Sequence, residues 1–112
     1  MARDTSPIVK QSRREGYALH PKAHKILVKK PGIPGQHSGS RQSKPSLYQI
    51  QLREKQKVRR LYGLLERQFA KLMKEASARN GLAGENLLQL LELRIDNAVY
   101  RSGLATSRRA AR

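Results

Sequence analysis

Residues 52–68 combine dense positive charge with regularly spaced apolar residues. Six of these seventeen residues are Lys or Arg. Val58, Leu61 and Leu65 recur at spacings of three and four, and the same spacing continues to Phe69. This period is that of an α-helix with one apolar face. A helix that packs one face on a core and presents cations on its other faces is typical of proteins that bind a polyanion.

The composition of the whole chain indicates the same type of partner. Its 112 residues include 24 Lys and Arg against 8 Asp and Glu, a formal net charge of +16. Such an excess of one sign destabilises a compact protein through self-repulsion, whereas a phosphate backbone neutralises it and releases counterions. The alternative is a surface charged only for solubility. We favour a nucleic acid because a modest net charge already provides solubility.

The segment 34–39 is a predicted turn flanked by basic residues. Its glycines allow backbone N–H groups to approach a phosphate closely, and Gln36 and His37 can hydrogen-bond base or sugar edges. Taken alone, the segment would be an ordinary surface turn. The surrounding positive charge instead favours contact with nucleic acid.

A second predicted contact surface lies near the C-terminal end of the sequence. Asn97 and Arg101 are four residues apart and therefore share a helix face. Ser107 and Arg108 would begin a further helix, whose free N–H groups favour phosphate. The predicted RNA-contacting residues of the whole chain are Arg3, Lys10, Arg13, Arg14, Lys29, Lys30, Gln36, His37, Arg41, Lys44, Arg53, Lys57, Arg59, Arg60, Arg67, Arg94, Asn97, Arg101, Ser107 and Arg108.

The sequence lacks the usual signatures of catalysis and metal binding. It contains neither a phosphate-binding glycine loop nor a Gly-x-Ser-x-Gly elbow. Glu54, Glu66 and Glu75 lie among cations at helical spacing, so ion pairing explains them better than acid–base catalysis. His20 and His24 are four residues apart, but a structural zinc site needs four ligands and the chain has no cysteine. We therefore predict no enzyme activity, cofactor or metal, and histidines that are solvated or contact phosphate.

We predict three zones along the chain, with boundaries after residues 45 and 92. Residues 1–45 contain all five prolines and ten basic residues against two acidic ones. We expect them to form a basic arm of turns and extended segments that cannot fold alone, apart from a short helical turn near Lys10–Arg14. Residues 46–92 are predicted to form a helical domain. Residues 93–112 are predicted to add short helices.

Cap residues set the predicted ends of the two main helices. Ser46 is a candidate N-cap of a helix that runs to about Tyr62, and Gly63 marks a bend or break. A second helix then runs to Asn80, where Gly81 provides the C-terminal cap.

Three further short helices are predicted after Gly81. They cover Asn86–Glu92 and Arg94–Ser102, followed by one that Thr106 or Ser107 would cap. A helix that begins so close to residue 112 is poorly supported by neighbours. We therefore expect the natural sequence to continue beyond this point.

No membrane partner is expected from the sequence. It contains no run of eighteen apolar residues, the length that spans a bilayer. The first ten residues include Arg3, Asp4 and Pro7 rather than the apolar core of a signal peptide. We expect the protein in the cytoplasm, or in the interior of an organelle.

Five sequence blocks closely resemble the bacterial small-subunit ribosomal protein four family. The longest is Gln51–Phe69, which reads QLREKQKVRRLYGLLERQF. The others are Arg13–Gly16, Pro34–His37, Gly84–Leu88 and Leu93–Arg101. The blocks follow the family's order across essentially the whole chain, and together they are far more specific than any one of them.

The resemblance implies a primary binder of small-subunit ribosomal RNA that acts early in subunit assembly, at a multi-helix junction in the five-prime domain. It further implies ribosomal proteins three and five as neighbours, with messenger RNA nearby in its entry channel. The implied fold is mostly α. A small helical domain carries an extended basic N-terminal arm, and the first helices of a truncated second RNA-binding domain follow from about Leu93.

Two features separate this sequence from parts of the family. Some members carry a zinc cluster of cysteines in the arm, whereas this chain has Val9 and Ser12 where the first pair would fall. It therefore resembles the zinc-free type. Members are also nearly twice as long as this chain.

The alternative function is that of a translational repressor or transcription antitermination factor that binds RNA. Such a protein would not sediment with small subunits at moderate salt.

Overall fold

The structure, a computed structural model, describes residues 4–36 and 38–112. This part of the chain contains helices and no strand, so the predicted mostly α fold is confirmed. The helices are α1 (Ile8–Glu15), α2 (Pro21–Lys29), α3 (Leu47–Leu61), α4 (Glu66–Ala78), α5 (Ala83–Glu92), α6 (Ile95–Arg101) and α7 (Arg108–Ala111). They group into two compact units, residues 4–61 with α1 to α3 and residues 62–112 with α4 to α7.

The N-terminal residues are more helical than the sequence predicts. Two helices, α1 and α2, occupy a segment for which we expected turns and extended chain with one short helical turn. Proline explains the beginning of α2, because Pro21 stands at its first position, where a fixed φ favours the helix and no N–H is needed. The Nδ1 atom of His20 accepts a hydrogen bond from the Lys22 N–H at 3.2 Å and caps the same end.

Helix α1 ends at a glycine and is tied to the chain that follows it. Gly16 has a φ of 62°, a left-handed conformation that residues with a side chain rarely adopt. The buried Ser12 hydroxyl donates to the Ile8 carbonyl at 2.8 Å and accepts from the Leu19 N–H at 3.2 Å. Leu19 and Ala23 are the buried apolar residues of this unit. The core of residues 4–61 is therefore small and partly polar.

Helix α3 begins where the sequence predicts. The Ser46 hydroxyl oxygen accepts a hydrogen bond from the Gln49 N–H at 3.2 Å, as expected of an N-cap. The predicted break after α3 is also confirmed, because Gly63 has a φ of 67° and α4 starts only at Glu66. No residue of α3 is fully buried. Its contact with α1 must therefore rest on something other than a buried apolar stripe.

The unit of residues 62–112 has a larger apolar core. Leu64 and Leu91 are at most 1% exposed, and Phe69, Ala76 and Leu87 are also buried.

Hydrogen bonds from one side chain stabilise the turn between α4 and α5. The Asn86 amide Nδ2 donates to three carbonyl oxygens at the end of α4, at 3.2–3.4 Å, and these belong to Ala76, Arg79 and Asn80. This satisfies carbonyl groups that a helix end leaves without partners.

Candidate nucleic-acid interface

Four of the predicted RNA-contacting cations line one pocket in the unit of residues 4–61. The pocket has a volume of about 410 Å³, and its wall also includes Gln11 and Pro34. Two cations come from α1 and two from α3, segments that are distant in sequence. The four residues are Lys10, Arg14, Arg53 and Arg60.

The carboxylate of Glu15 holds two of these arginines in place. Its Oε1 atom accepts hydrogen bonds from Arg60 Nη1 at 2.5 Å and from Arg53 Nη1 at 3.2 Å. The Glu15 side chain is fully buried, whereas those of Arg53 and Arg60 are 32% and 20% exposed. Both arginines are therefore partly internal residues that join α1 to α3. The sequence pattern alone predicts them on the cationic faces of the helix, away from its apolar face.

Glu15 was not singled out from the sequence, although one local signal pointed to it. It is the last residue of α1, where the helix dipole disfavours a negative charge. A residue that breaks a local rule in this way indicates a compensating tertiary contact. Here the contact is the pair of arginines from α3.

Arg13 positions the segment that leads into the predicted phosphate-binding turn. Its Nε atom donates to the Gly32 carbonyl at 3.0 Å, and Nη2 lies 3.5 Å from the Ile33 carbonyl. Its guanidinium is therefore engaged with the backbone. Gln36, within the turn, is exposed.

The remaining predicted contact residues of the first unit are mostly exposed. Lys57 and Arg59 are the exceptions, since both are half-buried on α3. Lys57 Nζ lies 2.6 Å from the Glu54 carboxylate, which confirms the ion pairing expected there. The predicted contact residues that are exposed, over both units, are Lys10, Arg14, Lys29, Lys30, Gln36, Arg41, Lys44, Arg67 and Arg101. Arg3 and His37 lie outside the described residues.

In the second unit, Asn97 is an internal hydrogen-bonding residue rather than part of an exposed face. It is 1% exposed. Its Nδ2 donates to the backbone carbonyl of Glu92 at 3.0 Å and to the Glu92 carboxylate at 2.7 Å. Its Oδ1 accepts from Arg108 Nε at 2.8 Å. The whole amide is thus used inside the unit, and of the predicted Asn97–Arg101 face only Arg101 is exposed.

Arg108 and Ser107 also serve the fold of this unit. The Arg108 guanidinium carbon lies 4.9 Å from the centre of the Tyr62 ring and 4.6 Å from that of Tyr100, within the range of cation–π attraction. The Ser107 hydroxyl accepts from the Ala110 N–H at 3.1 Å, so its predicted role as a cap is confirmed. Helix α7 spans four residues, and this cap provides a hydrogen-bond acceptor for one of the N–H groups at its N-terminus.

Asp96 is a buried carboxylate held by two arginines. Arg94 donates to it through Nε and Nη2, each at 3.1 Å, and Arg112 donates through Nε at 3.1 Å and also through Nη2. Burial raises the pKa of Asp96, but the two guanidinium groups outweigh burial and hold the pKa below its usual value. Arg112 donates further to the carbonyls of Gly63 at 2.7 Å and Tyr62 at 3.3 Å. Asp96 therefore orients a side chain that links the two ends of the unit.

Glu92 accepts hydrogen bonds from three side chains. The Tyr62 hydroxyl donates at 2.5 Å, Asn97 at 2.7 Å and Arg101 at 3.1 Å. The hydrogen bond from Tyr62 is the main reason that the pKa of Glu92 falls from 4.5 to about 2, with those from Arg101 and Asn97 adding to it against partial desolvation. The ionised form of Glu92 is therefore the form that stabilises this unit.

Lowering the pH from 4.5 to about 2 should remove this stabilisation. The folded-state pKa of Glu92 lies below its ordinary value, so the unfolded chain binds more protons between pH 4.5 and about 2. We expect wild type to be more stable than Glu92→Gln above pH 4.5, and the difference to shrink as the pH falls towards 2. Urea unfolding of both chains across this range measures it. A constant difference between the two chains would contradict the assignment.

The described residues show neither a metal cluster nor a membrane-spanning helix. Within residues 4–36 and 38–112, no cluster of three or more His, Asp or Glu residues is placed to hold a metal ion. His20 acts as the cap of α2, and His24 is exposed. In that same part of the chain, no helix has both the length and the apolar character needed to cross a membrane.

Comparison with known proteins places the chain in a family. The sequence profile described as the ribosomal protein S4/S9 N-terminal domain matches residues 3–92. Proteins named small ribosomal subunit protein uS4 from Chlorobium limicola and Chlorobaculum tepidum are each 54% identical over 112 residues, which is 100% of this chain and 55% of theirs. The corresponding protein of Chloroherpeton thalassium is 53% identical over the same shares. The chain thus spans about half the length of the curated relatives it matches, and it belongs to the ribosomal protein S4/S9 family.

Proposed function

We propose that the chain is an RNA-binding structural constituent of the small ribosomal subunit, with small-subunit ribosomal RNA as its ligand. Its relatives are named as proteins of that subunit, and more than half of each relative's length is matched. The observation that carries the proposal for this chain is its set of exposed cations, in a molecule of net charge +16 within this family. Lys and Arg would neutralise phosphates, and the shape of the RNA would supply selectivity. The proposed role is binding and does not involve catalysis.

The finer placement is also a proposal. We infer that the ligand is the five-prime domain of the RNA, and that ribosomal proteins three and five lie beside this protein near the messenger entry channel. Support comes from the resemblance of the blocks 51–69 and 93–101 to the family. The cell compartment follows from the same proposal, namely the bacterial cytoplasm or an organelle with bacterial-type ribosomes.

A binding assay with three RNAs tests the ligand. The 112-residue chain is titrated with transcripts of the five-prime and three-prime domains of small-subunit RNA and with a structured RNA of similar length and unrelated sequence. We expect the five-prime transcript to bind most tightly. Equal affinity for all three would contradict a ribosomal ligand.

Sedimentation at moderate salt distinguishes a ribosomal protein from the alternative function. A dedicated translational repressor or antitermination factor would not sediment with small subunits.

Salt dependence tests the proposed mechanism. If exposed cations neutralise phosphates, the logarithm of the association constant should fall linearly with the logarithm of salt concentration, by about 0.7–0.9 for each phosphate contacted. The substitution Arg67→Gln removes one exposed cation of α4 and should reduce this slope by up to about 1 if Arg67 contacts phosphate. Filter binding between 50 and 300 mM KCl measures the slopes. A flat titration of wild type would exclude phosphate contact as the main source of affinity.

A further inference from the structure

The pocket between α1 and α3 has the composition of an anion site. Two carboxylates of the described residues are hydrogen-bonded to residues that line the pocket. One is Glu15, which pairs with Arg53 and Arg60. The other is Asp4, which accepts from Gln11 Nε2 at 2.6 Å and from the Ser6 N–H at 2.9 Å. Four positive and two negative charges leave a net charge of +2 around the pocket.

The two paired arginines are fixed before any ligand arrives. Each gives Glu15 a single Nη1 hydrogen bond, and a guanidinium has five N–H donors. The Arg60 Nε group and the Glu15 Oε2 atom are both buried without a hydrogen-bond partner among the described residues. The Arg53 and Arg60 side chains as a whole are 32% and 20% exposed, so the N–H donors available to a ligand are those on their exposed parts. Glu15 therefore orients Arg53 and Arg60 while leaving donors for another acceptor.

The other two cations complete the site from α1. Lys10 and Arg14 are four residues apart and share a helix face. Both are exposed, and neither forms an ion pair with a carboxylate of the described residues. They line the same pocket as the fixed arginines. The pocket thus combines two oriented guanidinium groups with two exposed cations that form no ion pair among the described residues.

We propose that this pocket binds one phosphodiester group of the RNA backbone, an inference that rests on the proposed function and names a specific contact within it. Guanidinium groups recognise phosphate through pairs of N–H donors, and Lys adds a point charge. A volume of about 410 Å³ is larger than a phosphate group alone requires. The pocket therefore has room for neighbouring parts of an RNA chain as well, and the proposed function is the reason for choosing a backbone phosphate over a free anion. Glu15 is a positioning residue here, because it acts through the arginines.

Paired substitutions test the pocket in the full chain. Lys10→Gln with Arg14→Gln removes the two cations that take no part in the Glu15 contacts, so the fold should be unchanged by circular dichroism. The matched control is Lys71→Gln with Lys74→Gln on α4, which removes the same charge from exposed residues outside the pocket. We expect the pocket variant to bind the five-prime transcript about tenfold more weakly than the control, with a salt slope smaller by about 1. Equal affinities of the two variants would overturn the proposal.

Neutral linkages in the RNA identify the phosphate itself. A set of transcripts, each with one uncharged methylphosphonate linkage, is titrated with wild type and with the pocket variant. We expect one linkage, or two adjacent ones, that weakens wild type more than the pocket variant, because the variant has already lost the Lys10 and Arg14 part of the same contact. Identical effects of every linkage on both proteins would overturn the proposal. If wild type does not bind the transcript at all, the proposed function fails instead.

Inorganic phosphate separates a backbone site from a site for a free anion. The Lys10 and Arg14 amide signals are followed by NMR during additions of phosphate and of chloride at equal ionic strength. We expect no saturating shift at millimolar phosphate, and saturating shifts with the five-prime transcript. Saturation by inorganic phosphate at micromolar concentration would show a free-anion site and contradict the backbone assignment.

Discussion

Replacing Arg60 with methionine is expected to destabilise the unit of residues 4–61 by about 3 kcal/mol, the lower end of the range for removing one partner of a buried ion pair. The Glu15 side chain is fully buried, and the Arg60 contact at 2.5 Å is the shorter of its two. Methionine keeps much of the apolar stem but leaves Glu15 with Arg53 alone. Urea unfolding by circular dichroism, with hydrogen exchange of the amides in α1 and α3, measures the loss.

Two further variants test whether the loss of stability comes from the Glu15–Arg60 ion pair. Arg53→Met should cost less than Arg60→Met, because the Arg53 contact is longer at 3.2 Å and its side chain is 32% exposed. In a Glu15→Gln background, Arg60→Met should lose much of its effect, since the buried charge is already absent. If Arg60→Met is as stable as wild type, α1 and α3 are not held together by this pairing.

Leu91→Ala is expected to destabilise the unit of residues 62–112 by about 2–5 kcal/mol, the range found when a buried leucine is truncated. Leu91 is 0% exposed within α5. Removing its side chain loses apolar burial and leaves a cavity that the neighbouring residues fill only in part. Thermal and urea unfolding should both show the change.

The same helix provides a matched control for this substitution. Leu88 lies one turn earlier in α5 and is 49% exposed, so Leu88→Ala should cost less than about 1 kcal/mol. Hydrogen exchange should locate the loss caused by Leu91→Ala in α4 and α5, which contact each other. Equal effects of the two substitutions would mean that the buried face of α5 has been assigned wrongly.

The order of the helices after residue 45 could be predicted from the sequence because local chemistry sets most of their ends, although α4 ends at Ala78 rather than Asn80 and α5 begins at Ala83 rather than Asn86. Ser46 and Ser107 cap the helices that follow them, and Gly63 has the positive φ expected at a break. Helix α2 was missed because Pro21, its first residue, and Pro31, two residues after its end, suggested an extended arm. Pro21 in fact occupies the one helical position that proline favours.

The candidate site was predicted in composition but not in arrangement. Charge density drew attention to Arg53 and Arg60, but the pattern could not show that a buried carboxylate on α1 engages both. Asn97 illustrates the same limit. Its spacing from Arg101 defines a shared helix face, yet the carboxylate and backbone of Glu92 draw its amide inside. Such contacts depend on which helices meet, and periodicity within one helix does not contain that information.

The hydrogen bonds of Arg112 have a consequence for the order in which the chain acquires its structure during synthesis. Arg112 binds the carbonyl of Gly63, a residue 49 positions earlier. The charge pairs of Glu15, by contrast, are complete once Arg60 has been made. At ordinary rates of translation, about 5–20 residues per second, Arg112 is added roughly 2–10 s after Gly63. The contacts between α1 and α3 that shape the proposed phosphate pocket can therefore form while the second unit is still being synthesised.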